Sequence, residues 1–136
     1  MSSISAIALS GLNAASRRLQ VSASNVANSQ TTGALPNADG TVPAGAPVAY
    51  APLALVQTAD ASGGVQTSIT TVTPSTTAVF DPQASFASQD GLVAAPNVDL
   101  AQEFVGQLLA SYSFAANAAV LKADDRNTKA LIDITA

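Results

Sequence analysis

Hydrophobic positions recur with helical spacing at both ends of the chain, and that rhythm breaks down in between. From about Ser3 to Asn28 there is no proline, and Leu12, Leu19 and Val26 recur every seven residues with Ala8, Ala15 and Ser22 between them. This pattern predicts a helix with a heptad seam, large side chains at one core position and small ones at the other. At ~1.5 Å per residue such a helix is roughly 39 Å long. Asn25 to Gly33, with Asn28, Thr31 and Thr32, carries the residues that stop helices.

A second helix is predicted from about Leu100 to Ile134. Pro96 and Asn97 precede it, Asp99 with Gln102 fits a capping box, and Glu103 places negative charge in the first turn, where the helix dipole favours it. Val105, Leu109, Tyr112, Ala116, Val120, Ala123, Ala130 and Ile134 form one apolar stripe, and Phe104, Leu108, Ala115 and Ala119 form a second. Two stripes imply a helix covered on more than one side. The first helix supplies one cover, and the other is expected on another molecule.

All seven prolines and six of the eight glycines fall between Gly33 and Pro96. Within that stretch Leu53–Thr58 and Val65–Thr73 are rich in β-branched or apolar residues. Ala59–Gly64 between them holds Asp, Ser and two glycines, which predicts a hairpin bounded by Pro52 and Pro74. The remainder reads as extended loop without a core of its own.

Composition sharpens this outline. Of 136 residues 29 are Ala and none is Trp, so the 48% hydrophobic share contains few large side chains. Burial is worth roughly 25 cal/mol per Å², and so the core of a lone chain is thin and gains from assembly. A net charge of −4 with only five basic residues leaves no basic patch for nucleic acid. Met1-Ser2-Ser3-Ile4 lacks the basic and apolar regions of a cleavable signal peptide, and no uninterrupted apolar run suggests membrane insertion.

The same inventory excludes most chemistry. There is no Cys and no His, which removes thiolate metal sites, thiol nucleophiles, the usual general base and the commonest metal ligand. A Ser–Lys pair has only Lys122 and Lys129 to draw on, both among polar helix neighbours. Asp124 and Asp125 are adjacent and point apart around a helix; they read as a solvated face beside Lys122, Arg126 and Lys129. No phosphate loop, calcium loop or cofactor motif occurs, and no cofactor is expected.

The ends carry a more specific signature. Ser10-Gly11-Leu12-Asn13-Ala14-Ala15-Ser16-Arg17-Arg18-Leu19-Gln20-Val21-Ser22-Ala23-Ser24-Asn25-Val26-Ala27-Asn28 resembles the N-terminal motif of bacterial flagellar rod and hook proteins, with Ser-Asn-x-x-Asn its most specific part. Ala95-Pro96-Asn97-Val98-Asp99 and Ala110-Ser111-Tyr112-Ser113-Phe114-Ala115-Ala116-Asn117 resemble the C-terminal motif of the same family. The short length is similar to that of proximal-rod members. Relatives often carry Arg near Tyr112 and Tyr near Phe114; here the cation is missing and the aromatics are shifted.

The resemblance implies a structural subunit, not an enzyme. Such a subunit leaves the cytoplasm by the flagellar type III route and assembles in the periplasm. There it joins a tubular rod that surrounds the export channel and transmits torque. Implied partners are copies of the chain, other rod proteins in a helical hetero-oligomer, and the adaptor region between rod and MS ring. Nucleic acid and direct membrane insertion are not expected. A small helical adaptor or export chaperone of the same apparatus is the alternative. The expected fold is mainly α with a small β element: residues 1–30 and 97–136 as two long terminal helices paired in an antiparallel coiled coil, and 31–96 as an extended segment with a β-hairpin. Leu12, Leu19, Asn25, Val26, Asn28, Asn97, Asp99, Phe104, Leu108, Leu109, Tyr112, Asn117 and Val120 are the expected assembly interface.

Overall fold

The computed structural model describes residues 3–37 and 39–135. Positions 1–2 and 136, the outer limits of the expected helical unit and part of the Met1–Ile4 stretch, lie outside the described residues. So does position 38 in the middle segment.

The chain runs α1 (Ser3–Ala27), β1 (Leu53–Ala59), β2 (Val65–Thr71), β3 (Thr76–Phe80), β4 (Leu92–Pro96) and α2 (Leu100–Thr135). The helix boundaries follow the capping chemistry. Asp99 Oδ1 accepts hydrogen bonds from the backbone N–H of Ala101 and Gln102 and so satisfies two free donors of the first turn of α2. Beyond the end of α1, Asn28 donates its side-chain amide to the Ser24 carbonyl, and the Ser29 hydroxyl donates to that of Val26.

The two helices pack on each other through small and polar side chains. Ser5 bonds Asp124, Gly11 lies against Asn117, and the Ser22 hydroxyl donates to the Glu103 carbonyl. On α1 the buried positions Ala8, Ala15 and Ser22 recur every seven residues. On α2 Glu103, Ala110, Asn117 and Asp124 do the same, with Ala110 buried. The row of α2 that meets α1 is therefore neither of the two apolar stripes, one of which the sequence pattern assigns to α1. Small residues on α1 bring the backbones close enough for short polar side chains to bond across. The large side chains of both stripes are left pointing elsewhere.

The middle segment contains the expected hairpin. β1 and β2 pair antiparallel from Leu53↔Thr71 to Ala59↔Val65. The connecting loop needs Gly63 and Gly64, whose φ values of 92° and 91° lie in the left-handed region that side chains disfavour. Their close approach to Ile7 and Ser10 lays the hairpin tip on the start of α1.

The remainder is not the coreless loop read from the sequence. β3 and β4 form a second antiparallel pair, Thr76↔Pro96 to Phe80↔Leu92, and a bridge Gly33↔Ala94 ties the chain leaving α1 to β4. Val93, Ala94, Ala34, Ala49 and Pro52 are buried and make a small core. A Cβ added at Gly33 would lie 2.6 Å from the Pro47 carbonyl oxygen and collide with the Ala49 backbone. Gly33→Ala is therefore expected to cost about 1–3 kcal/mol by overpacking. The cost appears as faster hydrogen exchange at the Ala94 amide, which donates to the Gly33 carbonyl.

By length and composition α2 is long and apolar enough to cross a membrane. The sequence reading missed this because it looked for an uninterrupted apolar run. A window average tolerates small polar residues such as Ser111 and Ser113.

Candidate functional site

Chemistry-bearing groups are dispersed. Among the described residues no three carboxylates gather into a metal-binding group. Lys129 is tied to Asp125 at 2.7 Å on the exposed face of α2, one turn apart. Asp60 holds the hairpin tip: its Oδ1 accepts from the Ser62 N–H and hydroxyl, and its Oδ2 from the Gln66 amide. The Ser62 hydroxyl bond is the largest influence in pulling the Asp60 carboxyl down to about 2. A lowered carboxyl stabilises the folded tip above its ordinary value of 3.8 and loses that contribution as pH falls through about 2. The Ser62 and Gln66 side-chain resonances are thus expected to titrate together near pH 2, well below those of an unbonded Asp.

The dense polar site lies between α1, α2 and the hairpin, and it is built on Asn25. That residue is 2% exposed. Its amide nitrogen donates to the Leu53 carbonyl at 2.8 Å and to Glu103 Oε1 at 2.6 Å. Its amide oxygen accepts from the Leu53 N–H at 2.9 Å and the Tyr50 hydroxyl at 3.0 Å. The Asn25 amide thus uses both donors and both acceptor positions. It joins the end of α1 to the start of β1 and the start of α2.

The other expected interface residues divide into two groups. Asn28, Asp99 and Asn117 bond their own helix or its first turn, and Asn97 donates to the Pro74 carbonyl beside the second sheet. With Asn25, these polar positions work inside the chain. The apolar positions face outward. Leu12 and Val26 are half-buried, while Leu19, Phe104, Leu108, Leu109, Tyr112 and Val120 are exposed. Leu19 and Phe114 flank a shallow groove of about 270 Å³ floored by Ala15 and Ala110. The exposed row along α2 far exceeds the scattered apolar residues normal for a monomer surface, and such patches mark interaction sites.

This arrangement, two terminal helices with a small and polar seam and an apolar outer face, coincides with known sequence families. A family model described as flagella basal body rod protein matches residues 6–34, and one described as flagellar basal body rod FlgEFG protein C-terminal matches residues 89–134. The flagellar basal-body rod protein FlgC of Yersinia enterocolitica is 36% identical over 119 residues, covering 85% of this chain and 83% of that protein. The chain belongs to the flagellar basal-body rod protein family.

As a rod-family member it is a structural component of the flagellar basal body and not an enzyme. The adaptor or export-chaperone reading is not favoured. The two matched segments meet in the fold. Gly33, near the end of the first, bridges to Ala94 of the second. β4 thus falls within the C-terminal matched segment, together with α2. The sequence singles out Asn25 for the assembly interface but not as an internal hub, because Asn near a helix end is equally a stop signal.

Proposed function

We propose that the chain is a subunit of the proximal part of the rod, where it polymerises with copies of itself and with other rod proteins into a tubular shaft. In this reading α1 and α2 pair as an antiparallel coiled coil that forms the inner layer around the export channel, and the shaft transmits torque. The alignment of Ser5 with Asp124, Gly11 with Asn117 and Ser22 with Glu103 supports the antiparallel pairing. The similarity to a FlgC, at comparable length, supports the proximal position.

The observation that carries the proposal is the outward apolar surface of α2 around Phe104, Leu108, Leu109 and Tyr112. Leu12, Leu19, Val26 and Val120 extend the proposed assembly surface. Asn25, Asn28, Asn97, Asp99 and Asn117 contribute to it by fixing the helices that present it. The chain reaches the periplasm through the flagellar export gate, and the rod's base contacts the adaptor region below. Purified basal bodies test this: the full-length chain is expected in them as a layer of density near the rod base. Recovery in the cytosol alone, or only at the hook end of the rod, refutes it.

A further inference from the structure

We propose that the polar groove between α1 and β2 seats a second copy of this chain, entered by that copy's Phe80–Asp81–Asp90 corner. This rests on the rod reading and deepens it by naming one contact between copies.

The groove has a volume of about 640 Å³ and is lined by Ser10, Asn13, Ser16 and Arg17 of α1 and Gln66 and Thr67 of β2. Arg17 is exposed and has no carboxylate partner among the described residues. It presents a planar five-donor guanidinium suited to carboxylates.

Charge along the chain is segregated in a way that calls for such a partner. α1 carries Arg17 and Arg18 and no acid, whereas residues 28–99 carry five aspartates and no cation. Most of the carboxylates are already committed. Asp39 and Asp60 are held by their own turns and Asp99 caps α2. Glu103 bonds Asn25, Asp124 bonds Ser5, and Asp125 pairs with Lys129. Asp133 lies near Arg126 and Lys129 in sequence, away from the β3–β4 end. Asp90 remains, and so does most of Asp81, whose Oδ1 accepts among the described residues a long 3.3 Å bond from the Gln83 N–H. The Asp81 N–H donates to the Gly91 carbonyl at 2.9 Å, which brings Asp81 and Asp90 to the same end of the β3–β4 pair.

At the same end of the pair Phe80 is 70% exposed, with its ring edge against Gly91. An exposed aromatic ring and two aspartates at one end of a sheet match a groove whose rim offers a guanidinium, which binds both an anion and a ring face. Knob and groove lie on different parts of the chain. The contact is therefore heterologous, the kind that propagates into a ring or helix instead of closing as a dimer.

The absence of cysteine makes the contact directly testable. Arg17→Cys and Asp81→Cys, differently tagged and co-expressed, are expected to form an oxidant-dependent disulfide in purified basal bodies. The product runs at twice the 13.5 kDa chain mass and carries both tags. No such band with both variants incorporated overturns the proposal, as does capture of a different protein by Arg17→Cys. Should either variant fail to incorporate, charge exchange decides. Arg17→Glu and the pair Asp81→Arg with Asp90→Arg are each expected to lower swimming at least tenfold, and their combination to restore most of it. Failure to restore overturns the contact. Absence of the wild-type chain from basal bodies would instead reject the rod reading on which it stands.

Discussion

Asn25→Ala is expected to reduce the amount of chain recovered in basal bodies by about two orders of magnitude. Truncation leaves the Leu53 N–H and carbonyl and the Glu103 carboxylate without their Asn25 partner and the Tyr50 hydroxyl with only Ser24, at a half-buried junction. Each buried polar group left unpaired costs about 1–3 kcal/mol, and a charged one more. Water entering the vacated space offsets part of this, leaving about 3–4 kcal/mol. A domain has only about 5–15 kcal/mol of total stability. Ser29→Ala is the control: its hydroxyl meets only the nearby Val26 carbonyl, and loss of that bond is worth about 1 kcal/mol. Quantitative immunoblotting of basal bodies against total chain measures both. Recovery of Asn25→Ala within threefold of wild type would show that the four hydrogen bonds are dispensable.

The Asn25 hub also marks where sequence reasoning stops. The helices were legible because their signals are local. The absence of proline from Ser3 to Asn28 and the Asp99 cap place both ends to within about a residue. The first hairpin was legible for the same reason, with β-branched runs on either side of an Asp, Ser and Gly-Gly turn.

β3 and β4 were not. Leu-Val-Ala-Ala-Pro has little β-propensity, its partner is five residues long, and a connection with no strand of its own separates them. Their order comes from burial of Val93 and Ala94 and from the Gly33 bridge, contacts distant in sequence. Asn25 likewise bonds residues 25, 28 and 78 positions away. The apolar stripes of α2 were read correctly as stripes. Which one met α1 could not be read, because the preference went to a polar row set by the small residues of α1.

That row makes the second large effect separable from folding. Leu109→Asp is expected to abolish swimming while leaving the folded chain nearly unchanged, because Leu109 is 54% exposed and lies off the α1–α2 seam. A surface substitution of this kind changes chain stability by about 0.5 kcal/mol or less. Within an assembled wall of helices the same carboxylate would be buried without a partner, at a cost on the order of several kcal/mol per subunit. Repeated at every copy, that cost exceeds what helix packing returns. Leu19→Asp is expected to behave in the same way, since Leu19 is 43% exposed on the rim of the groove beside Phe114. In the proposed reading export precedes assembly, so both variants are expected to reach the periplasm at near wild-type levels and to be missing from basal bodies. Fractionation and a motility assay together distinguish the possible outcomes. Normal swimming by either variant would show that its position is not part of the packing surface. Loss of the variant from the periplasm as well would place the defect in export or folding and remove the separation that the seam geometry predicts.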